Sequence, residues 1–299
     1  MKKEKILFIT SMLIFGSMGL FVRNINLPSS VIALVRGAIG SLFIFGASKV
    51  LKQKISWKAI RPNLLLLLLS GAAIGFNWIF LFQAYKYTTI SNATITYYFA
   101  PVFVMFLSPF ILKEKLSIVK IGCILAAVLG MFMISGIGGV EGRNHLIGIG
   151  YALMAATLYA SAILINKFMK GMSGLETTIV QIGTASIVLF PYVLLTQRVG
   201  TISVDSKSLI FLIMLGIIHT GLGYLIYFTS FRNLSAQTIS VFSYIDPISA
   251  ILMSGIFLGE KMTAFQLCGG VLILGATFFS ELYDRRRVDK RQASIAGNE

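Results

Sequence analysis

"GFNWIFLFQAYKYTTISNATITYYFAP", residues 75–101, and "GLGYLIYFTSFRNLSAQTISVFSYIDP", residues 221–247, are two versions of one 27-residue pattern. The second follows the first at an offset of 146 positions, and the two align without a gap. In both copies a Glu-Lys pair begins 13 residues after the closing proline, at Glu114 and Glu260. Shared apolar composition alone would explain a loose similarity, but it does not explain a matched glycine, proline and Glu-Lys pair. The chain therefore contains the same structural unit twice.

The composition predicts an all-α membrane protein. Of the 299 residues 56% are hydrophobic and only 12% are charged, whereas a soluble domain carries about 25% charged residues. The apolar residues form runs of about 20, the length of helix that crosses a bilayer core. Ten such runs are predicted to be transmembrane helices: 6–22, 29–50, 63–85, 91–112, 118–137, 146–166, 176–196, 208–230, 236–258 and 264–282.

The net charge of +15 indicates membrane topology rather than nucleic-acid binding. The basic residues lie in short loops and in the tail "YDRRRVDKRQ", residues 283–292, and not on one amphipathic face. Ten spans place both termini on the same side. With both termini in the cytoplasm, 19 Lys and Arg residues lie inside and six lie outside, which is the positive-inside bias of membrane proteins. We therefore expect a multi-pass protein of a prokaryotic cell membrane.

The repeated unit contains five spans. Because five is odd, the second copy enters the membrane from the opposite side, which is the inverted-repeat plan of secondary transporters. In such proteins the substrate site lies near the middle of the membrane, between the halves. We expect the first repeat at 1–140, the inverted second repeat at 141–285 and a basic cytoplasmic tail at 286–299.

The segments that open the fifth and tenth spans carry a family resemblance. "KEKLSIVKIG…GMFMI" and "GEKMTAFQLCGGVLILGATF", together with the paired five-helix halves, resemble EamA-type members of the drug/metabolite transporter superfamily. The resemblance covers nearly the whole chain. It implies a ten-helix fold and the export or exchange of small metabolites, often amino acids, without specifying the substrate. Lys113 stands where the motif usually has glycine, as Gly259 does in the second copy, and this departure concerns the local loop geometry.

Asp246 is an acid near the predicted middle of the ninth span. A carboxylate at that depth costs about 2.5–3.5 kcal/mol on insertion scales, so by default it is a candidate functional residue. It would either bind a substrate ammonium group or take up a proton and couple transport to the proton gradient. The structural alternative is an acid that burial keeps neutral, or one hydrogen-bonded to Ser or Tyr across helices. The first repeat has Ala100 at the same position.

Both repeats carry a proline at the same depth, Pro101 and Pro247. A proline in a helix cannot donate its hydrogen bond and disfavours helical geometry in the residue before it. Such a break survives in hydrocarbon only where neighbouring helices or a cavity satisfy the freed backbone. We predict that both prolines mark hinges or the wall of a cavity.

Three other ionisable residues lie in or near the spans. His219, in the eighth span, is either a packing residue or part of a proton relay at the depth of Asp246. Arg36 lies about 10 Å below the outer surface; it either snorkels outward or faces the cavity, where it binds a substrate carboxylate or pairs with Asp246. His145 is expected in an external loop, without a function.

Polar and aromatic side chains too deep for an interfacial belt are further candidates for lining the cavity. As a set they suit an amphipathic or aromatic metabolite, although packing is the commoner role of any one of them. They are Asn77, Trp78, Tyr97, Tyr98, Tyr224, Tyr227 and Ser243.

Other functional classes fit less well. An aspartyl intramembrane protease needs two membrane acids, a zinc enzyme needs clustered His, Cys or Asp ligands, and neither G-x-S-x-G nor H-E-x-x-H occurs. The sequence thus predicts no enzyme, no cofactor and no metal. A channel or facilitative uniporter is the main alternative, and a receptor or assembly protein is less favoured because the loops are short. No nucleotide-binding motif occurs, so an ion gradient, such as that of protons, or substrate exchange would drive transport. The oligomeric state is left open.

Overall fold

The structure is a computed structural model, and it describes residues 2–50, 56–113, 116–135, 142–198, 200, 202–231 and 234–296. Within these ranges all the regular structure is helical. Ten helices are long and apolar enough to cross a membrane, as the sequence predicts. The chain is therefore a multi-pass membrane protein.

Short helices subdivide some of the spans, so the elements outnumber the crossings. A 3₁₀ turn at Arg61–Asn63 joins α3 to α4, and a π-helix at Leu215–Leu222 joins α10 to α11. The helices are α1 (Lys2–Arg23), α2 (Ser29–Val50), α3 (Trp57–Ile60), α4 (Leu64–Tyr87), α5 (Ile90–Tyr97), α6 (Ala100–Ile111), α7 (Ile118–Ser135), α8 (Arg143–Asn166), α9 (Gly174–Thr196), α10 (Ser206–Met214), α11 (Gly223–Phe231), α12 (Ala236–Ser243), α13 (Ile245–Leu258) and α14 (Ala264–Ala296).

The ends of the helices meet at two opposite ends of the bundle. At one end the guanidinium of Arg23, the last residue of α1, donates to the carbonyl of Tyr85 near the end of α4 at 2.6 Å. At the other end the Glu176 carboxylate of α9 accepts from the backbone N–H of Ser56, just before α3, at 2.8 Å. Following the charge bias, we call the end with Arg23 the outer end and the end with Glu176 the inner end.

The two repeats interlock instead of forming separate bodies. Helix α1 packs along α13, α2 along α9, and α4 along both α8 and α9. Each of these pairs joins one repeat to the other. The centre of the bundle is thus surrounded by helices from both repeats, which is the location that the sequence predicts for the substrate site.

Equivalent helices of the two repeats begin in the same way. The hydroxyl of Thr89 caps α5 by accepting from the backbone N–H of Asn92 at 3.1 Å, and the hydroxyl of Ser235 caps α12 by accepting from that of Thr238 at 3.3 Å. Such caps satisfy N–H groups that have no partner within the helix. Thr89 and Ser235 are 146 positions apart, so the sequence repeat is also a repeat of local structure.

Two spans are broken at equivalent positions. The fourth span is interrupted at Tyr98 and Phe99, between α5 and α6, and the ninth at Tyr244, between α12 and α13. Each interruption begins three residues before the repeated proline, Pro101 or Pro247. Because proline has no N–H, the carbonyls of Tyr97 and Ser243 lack their usual i+4 donor, and a proline is tolerated in the first turn of the helix that follows each break. That the breaks act as hinges stays a prediction.

The structure corrects the expectation for His145. This residue lies in the first turn of α8, not in a loop, and it is 9% exposed. Its two ring nitrogens lie 2.8 Å from the Thr88 hydroxyl and 2.9 Å from the carbonyl of Ile134. Helix α8 begins three residues before the predicted span, and of these residues His145 is buried with partners at the outer end, whereas Arg143 and Asn144 are exposed.

The basic tail continues the last membrane-spanning helix. Helix α14 continues past the membrane span, which ends at Asp284, as far as Ala296. The segment is rich in Arg and Lys, which favour helix, and it contains neither Gly nor Pro before Ala296. The predicted boundary at 285–286 therefore falls inside a continuous helix.

Candidate functional site

Asp246 connects the two broken spans. It lies in the first turn of α13, half-buried, and its Oδ2 accepts a hydrogen bond from the Tyr98 hydroxyl at 2.7 Å. Tyr98 is part of the break in the other repeat. The carboxylate thus faces the other repeat. When it is ionised, its hydrogen bond from Tyr98 is charge-assisted, which makes it stronger than one between neutral groups.

Two tyrosines of the fourth span and one of α8 lie around this carboxylate. The ring of Tyr97 lies 6.3 Å from that of Tyr98 and 5.4 Å from that of Tyr159 in α8, measured between centroids. Tyr159 is close enough to Asp246 for the two groups to interact electrostatically. Tyr97 and Tyr98 are half-buried and Tyr159 is 40% exposed. Aromatic faces and hydroxyl groups therefore border the space beside the acid.

A second aromatic group comes from α1 and α11. The ring of Phe15 lies 5.2 Å from Tyr224 and 6.2 Å from Tyr227. Tyr227 also contacts Phe8 at 5.4 Å. Both tyrosines are half-buried, so each packs on α1 and keeps part of its surface accessible.

Arg36 is a buried cation near the centre of the bundle. It is 1% exposed, and its Nε donates to the Thr220 hydroxyl at 2.7 Å. Its guanidinium carbon lies 4.5 Å from the Trp78 ring and 5.5 Å from the Phe82 ring, as in cation–π pairs. Nη1 contacts the sulfur of Met18 at 3.1 Å. The side chain therefore points into the protein and does not snorkel.

Arg36 and Asp246 do not form an ion pair in this conformation. Among the residues that the structure describes, no carboxylate lies within ion-pair distance of Arg36. Tyr224 is close enough to both charged groups to interact electrostatically with each. The two charges thus remain separate, and in this conformation Arg36 is enclosed by Trp78, Phe82, Thr220 and Met18.

His219 lies in the π-helix, next to Thr220. Its Nε2 is 3.0 Å from the Ser17 hydroxyl, which itself donates to the carbonyl of Ile14 at 2.8 Å. The tautomer of the imidazole decides which of its ring nitrogens donates, because a neutral imidazole has one donor and one acceptor nitrogen. Nδ1 is buried and has no hydrogen-bond partner among the described residues. Single π-helical turns occur often at functional sites, yet no described hydrogen bond links His219 to Asp246.

Three consecutive residues of α1 reach all three of these groups. Ser17 contacts His219, and Met18 contacts Arg36. Gly16 packs on the backbone of Asp246 so closely that an added Cβ would lie 2.6 Å from its carbonyl oxygen. Helix α1 therefore fixes the relative positions of the acid, the imidazole and the guanidinium.

The remaining predicted site residues are occupied in packing. Asn77 is 1% exposed and donates to the carbonyl of Ala155 in α8 at 2.6 Å. Trp78 is 5% exposed and covers Arg36. Ser243 is half-buried and donates to the carbonyl of Ile239 in its own helix. Their contact with a substrate stays a prediction.

Comparison with known proteins identifies the class to which this arrangement belongs. The profile of the EamA-like transporter family matches residues 2–136 and again residues 146–282, once for each repeat. The chain belongs to the EamA-like transporter family. Each match covers one of the two repeated units, in agreement with the doubled architecture that the internal repeat indicates.

Relatives of this EamA-like transporter are themselves transporters. An uncharacterized transporter of Bacillus subtilis, YxxF, is 34% identical over 89% of this chain and 85% of its own length. A probable amino-acid metabolite efflux pump of Salmonella typhimurium is 26% identical over 79% of this chain and 83% of its own length. The pseudopaline exporter CntI of Pseudomonas aeruginosa is 23% identical over 92% of this chain and 95% of its own length.

A solved crystal structure shares the fold of this EamA-like transporter. The TM-score is 0.62, the identity is 16%, and the alignment covers 92% of this chain and 96% of the other. At that identity the likeness concerns the fold alone.

The sequence reasoning missed several parts of the site in this EamA-like transporter. Tyr159, Thr220 and Met18 border the three ionisable groups, although none was a candidate. One signal was available: "FGS" at 15–17 resembles "YAS" at 159–161 in the second repeat. Both segments lie at the centre of the bundle and touch the breaks. The described residues contain no group of three or more His, Cys, Asp or Glu that would hold a metal ion.

Proposed function

We propose that this protein is a secondary active exporter of a small zwitterionic metabolite, such as an amino acid, which it moves by alternating access. The observation that carries the proposal is the pair of separate, opposite charges in the centre of the bundle. Asp246, held by Tyr98, would receive the ammonium group, and Arg36 would receive the carboxylate. Tyr224 interacts with both charges, so it would lie alongside the substrate.

The separation of the two charges supports a zwitterion over a simple amine or acid. A mid-membrane charge without a partner costs free energy, and a substrate that carries both opposite charges would compensate both residues at once. Tyr97, Tyr98, Tyr159 and Tyr224 would pack on the apolar part of the molecule. The names of the Salmonella and Pseudomonas relatives, an efflux pump and an exporter, support export as the direction.

Protons are the proposed driving ion. Asp246 would bind either a proton or the substrate ammonium, and this competition would couple the two fluxes. His219, which has a buried and unpartnered Nδ1, would assist by passing a proton towards the site. We place the protein in the cell membrane with both termini in the cytoplasm, in agreement with the charge bias, and the breaks before Pro101 and Pro247 would act as the hinges.

Replacement of Asp246 tests this function. Asp246→Asn keeps the shape and a hydrogen-bonding group but removes the charge. A hydrogen bond to a charged group contributes about 1.5–3 kcal/mol, so we expect the flux in proteoliposomes to fall at least about tenfold. The remaining flux should lose its dependence on pH. The measurement is counterflow of radiolabelled amino acids at several pH values.

Asp205→Asn is the matched control for Asp246→Asn. Asp205 is an acid outside the membrane that caps α10 through Ser208, so its replacement should leave flux and pH profile unchanged. An Asp246→Asn variant with the parental rate and pH profile would assign Asp246 to packing and would refute the proposal.

A further inference from the structure

Glu260 makes an unusual contact at the outer end. It follows α13 in the second repeat, yet its carboxylate caps α5 in the first. The backbone N–H of Ile90 donates to Oε1 and Oε2 at 3.1 and 2.9 Å, and that of Ser91 donates to Oε2 at 3.4 Å. The side chain is only 7% exposed. A carboxylate at the start of a helix is favoured by the free N–H groups and by the helix dipole.

Arg23 adds a third element to this contact. Its Nη1 lies 3.6 Å from Oε1 of Glu260 and donates to the backbone carbonyls of Tyr85 at 2.6 Å and Thr88 at 3.1 Å. Below the carboxylate, the hydroxyls of Ser91 in α5 and Ser254 in α13 lie 2.6 Å apart. Polar contacts thus join α1, α4, α5 and α13 along one seam that runs from the outer end towards the centre.

The helix that Glu260 caps is fully sealed. All seven residues from Ile90 to Thr96 are buried, although this segment is the outer half of a broken span. The equivalent segment of the second repeat, α12, forms the inner half of its span, and of its described side chains Ile239 is buried whereas those near its end are more open. Val241 is 40% exposed, and Phe242 and Ser243 are half-buried. The first half-helix is therefore buried at the outer end, whereas part of its counterpart at the inner end is accessible.

We propose that Glu260 is a gating residue, a latch that holds the outer half of span 4 against span 9 while the site faces the cytoplasm. Release of the α5 N-terminus from Glu260 opens the outer path, and rebinding closes it. This role rests on the proposed alternating access. The contact suits a gate because it is reversible: a polar cavity of about 320 Å³ lies beside it, lined in part by Arg23, Thr89 and Asn92, so water can replace the broken hydrogen bonds.

A buried position in the seam reports whether the latch is closed. Ser254 is 0% exposed and faces Ser91 across the seam, so a thiol introduced by Ser254→Cys reacts with a membrane-impermeant maleimide only when α5 and α13 separate. The background replaces Cys123 and Cys268, the two native cysteines. The reagent is added outside intact cells that hold the full-length protein, and the rate of labelling is measured.

Glu260→Ala should raise the labelling rate about tenfold, because it removes a charged acceptor that serves two N–H groups. Glu260→Gln, which keeps the volume and one acceptor, should raise it less and is the test if the alanine variant does not fold. Asp205→Asn is the matched control. Like Glu260, Asp205 is an acid that caps a helix at the outer end, but that helix, α10, directly follows it in the chain. Hydrogen bonds from Ser208 hold the pKa of Asp205 below its usual value. Asp205→Asn should leave the labelling unchanged.

Three outcomes would overturn the latch. They are an unchanged rate in both Glu260 variants, an equal rise with Asp205→Asn, and a rise that occurs only when the reagent reaches the cytoplasmic face in inside-out vesicles. The assay uses no substrate, so it is independent of the flux experiment with Asp246→Asn. Failure of that experiment would refute the proposed substrate chemistry and leave the labelling result standing.

Discussion

The two broken spans use the same backbone device for different purposes. In the first repeat, the residue before the proline is Ala100, 1% exposed and packed on Ala156 and Ala160 of α8. In the second, it is Asp246, half-buried, packed on Gly16 of α1 and bound by Tyr98. One break is sealed by alanines, and the other presents a carboxylate.

The difference shows how a duplicated unit becomes asymmetric. The proline, the capped half-helix and the break are architectural, because both repeats need them at the same depth. The charge is present once, because two acids facing each other in a low-dielectric centre would repel. Side chains that differ between equivalent positions are therefore better candidates for function than those that are shared.

The largest effect should follow from filling the space that separates α1 from the Asp246 break. In Gly16→Ala the new methyl group would lie 2.6 Å from the carbonyl oxygen of Asp246 and 3.1 Å from the backbone nitrogen of Ala250. Backbone atoms cannot move aside as a flexible side chain would, so overpacking should cost about 1–3 kcal/mol. We expect a lower unfolding temperature in detergent and a loss of most of the flux.

Gly46→Ala is the control for that substitution. Gly46 also lies in a membrane helix, but an added Cβ would meet nothing within 4 Å. Alanine is the better helix former by about 0.5–1 kcal/mol, so this variant should be as stable as the parent or slightly more so. Equal behaviour of the two variants would show that the α1–α13 contact does not position Asp246.

A moderate effect should follow from removing one hydroxyl beside each break. Tyr98→Phe removes the donor to Asp246, and we expect the flux to fall about five- to tenfold, in line with the loss of a hydrogen bond to a charged group. Tyr244, its repeat mate, donates to the Thr277 hydroxyl at 3.1 Å. Tyr244→Phe therefore removes only a hydrogen bond between two neutral groups, away from the acid. We expect it to change the flux less than about twofold, because the loss of a neutral hydrogen bond costs little.

Equal losses in the two tyrosine variants would contradict the asymmetry of the breaks. The measurement is the initial rate of counterflow, normalised to the amount of folded protein. A fall confined to Tyr98→Phe would assign the chemistry to the Tyr98–Asp246 contact, because the equivalent positions in the other repeat, Tyr244 and Ala100, hold no carboxylate.

The architecture could be predicted from the sequence because it depends on patterns that repeat. The apolar runs and the 146-residue offset predicted the ten spans and the positions of both breaks, and the structure agrees with them. His145 was predicted wrongly because its partners, Thr88 and the carbonyl of Ile134, lie 57 and 11 residues away. No local pattern contains that information.

The candidate site could be predicted only in part. Ionisable residues in apolar runs are visible in a sequence, and Asp246, Arg36 and His219 were found in this way. Their neighbours Gly16, Ser17 and Met18 are unremarkable small or apolar residues. They matter only because α1 packs along α13 and the π-helix and because Met18 reaches Arg36 of α2. The Glu260 contact was also hidden, since the Glu-Lys pair marks a helix end in the sequence but does not reveal which helix it caps.

An effect smaller than that of Tyr98→Phe should come from the prolines themselves. Pro247→Ala restores an N–H that can donate to the carbonyl of Ser243, and this should straighten the junction of α12 and α13. We expect the flux to fall about threefold, because a stiffer hinge slows the conformational step. Pro101→Ala should lower the flux less, since the alanine packing around Ala100 keeps that break in place whether or not the ring is present. Counterflow rates of both variants at matched folded yield provide the comparison. A larger loss with Pro101→Ala would mean that the sealed break is the moving one, and the acid would then lie on the static side of the site.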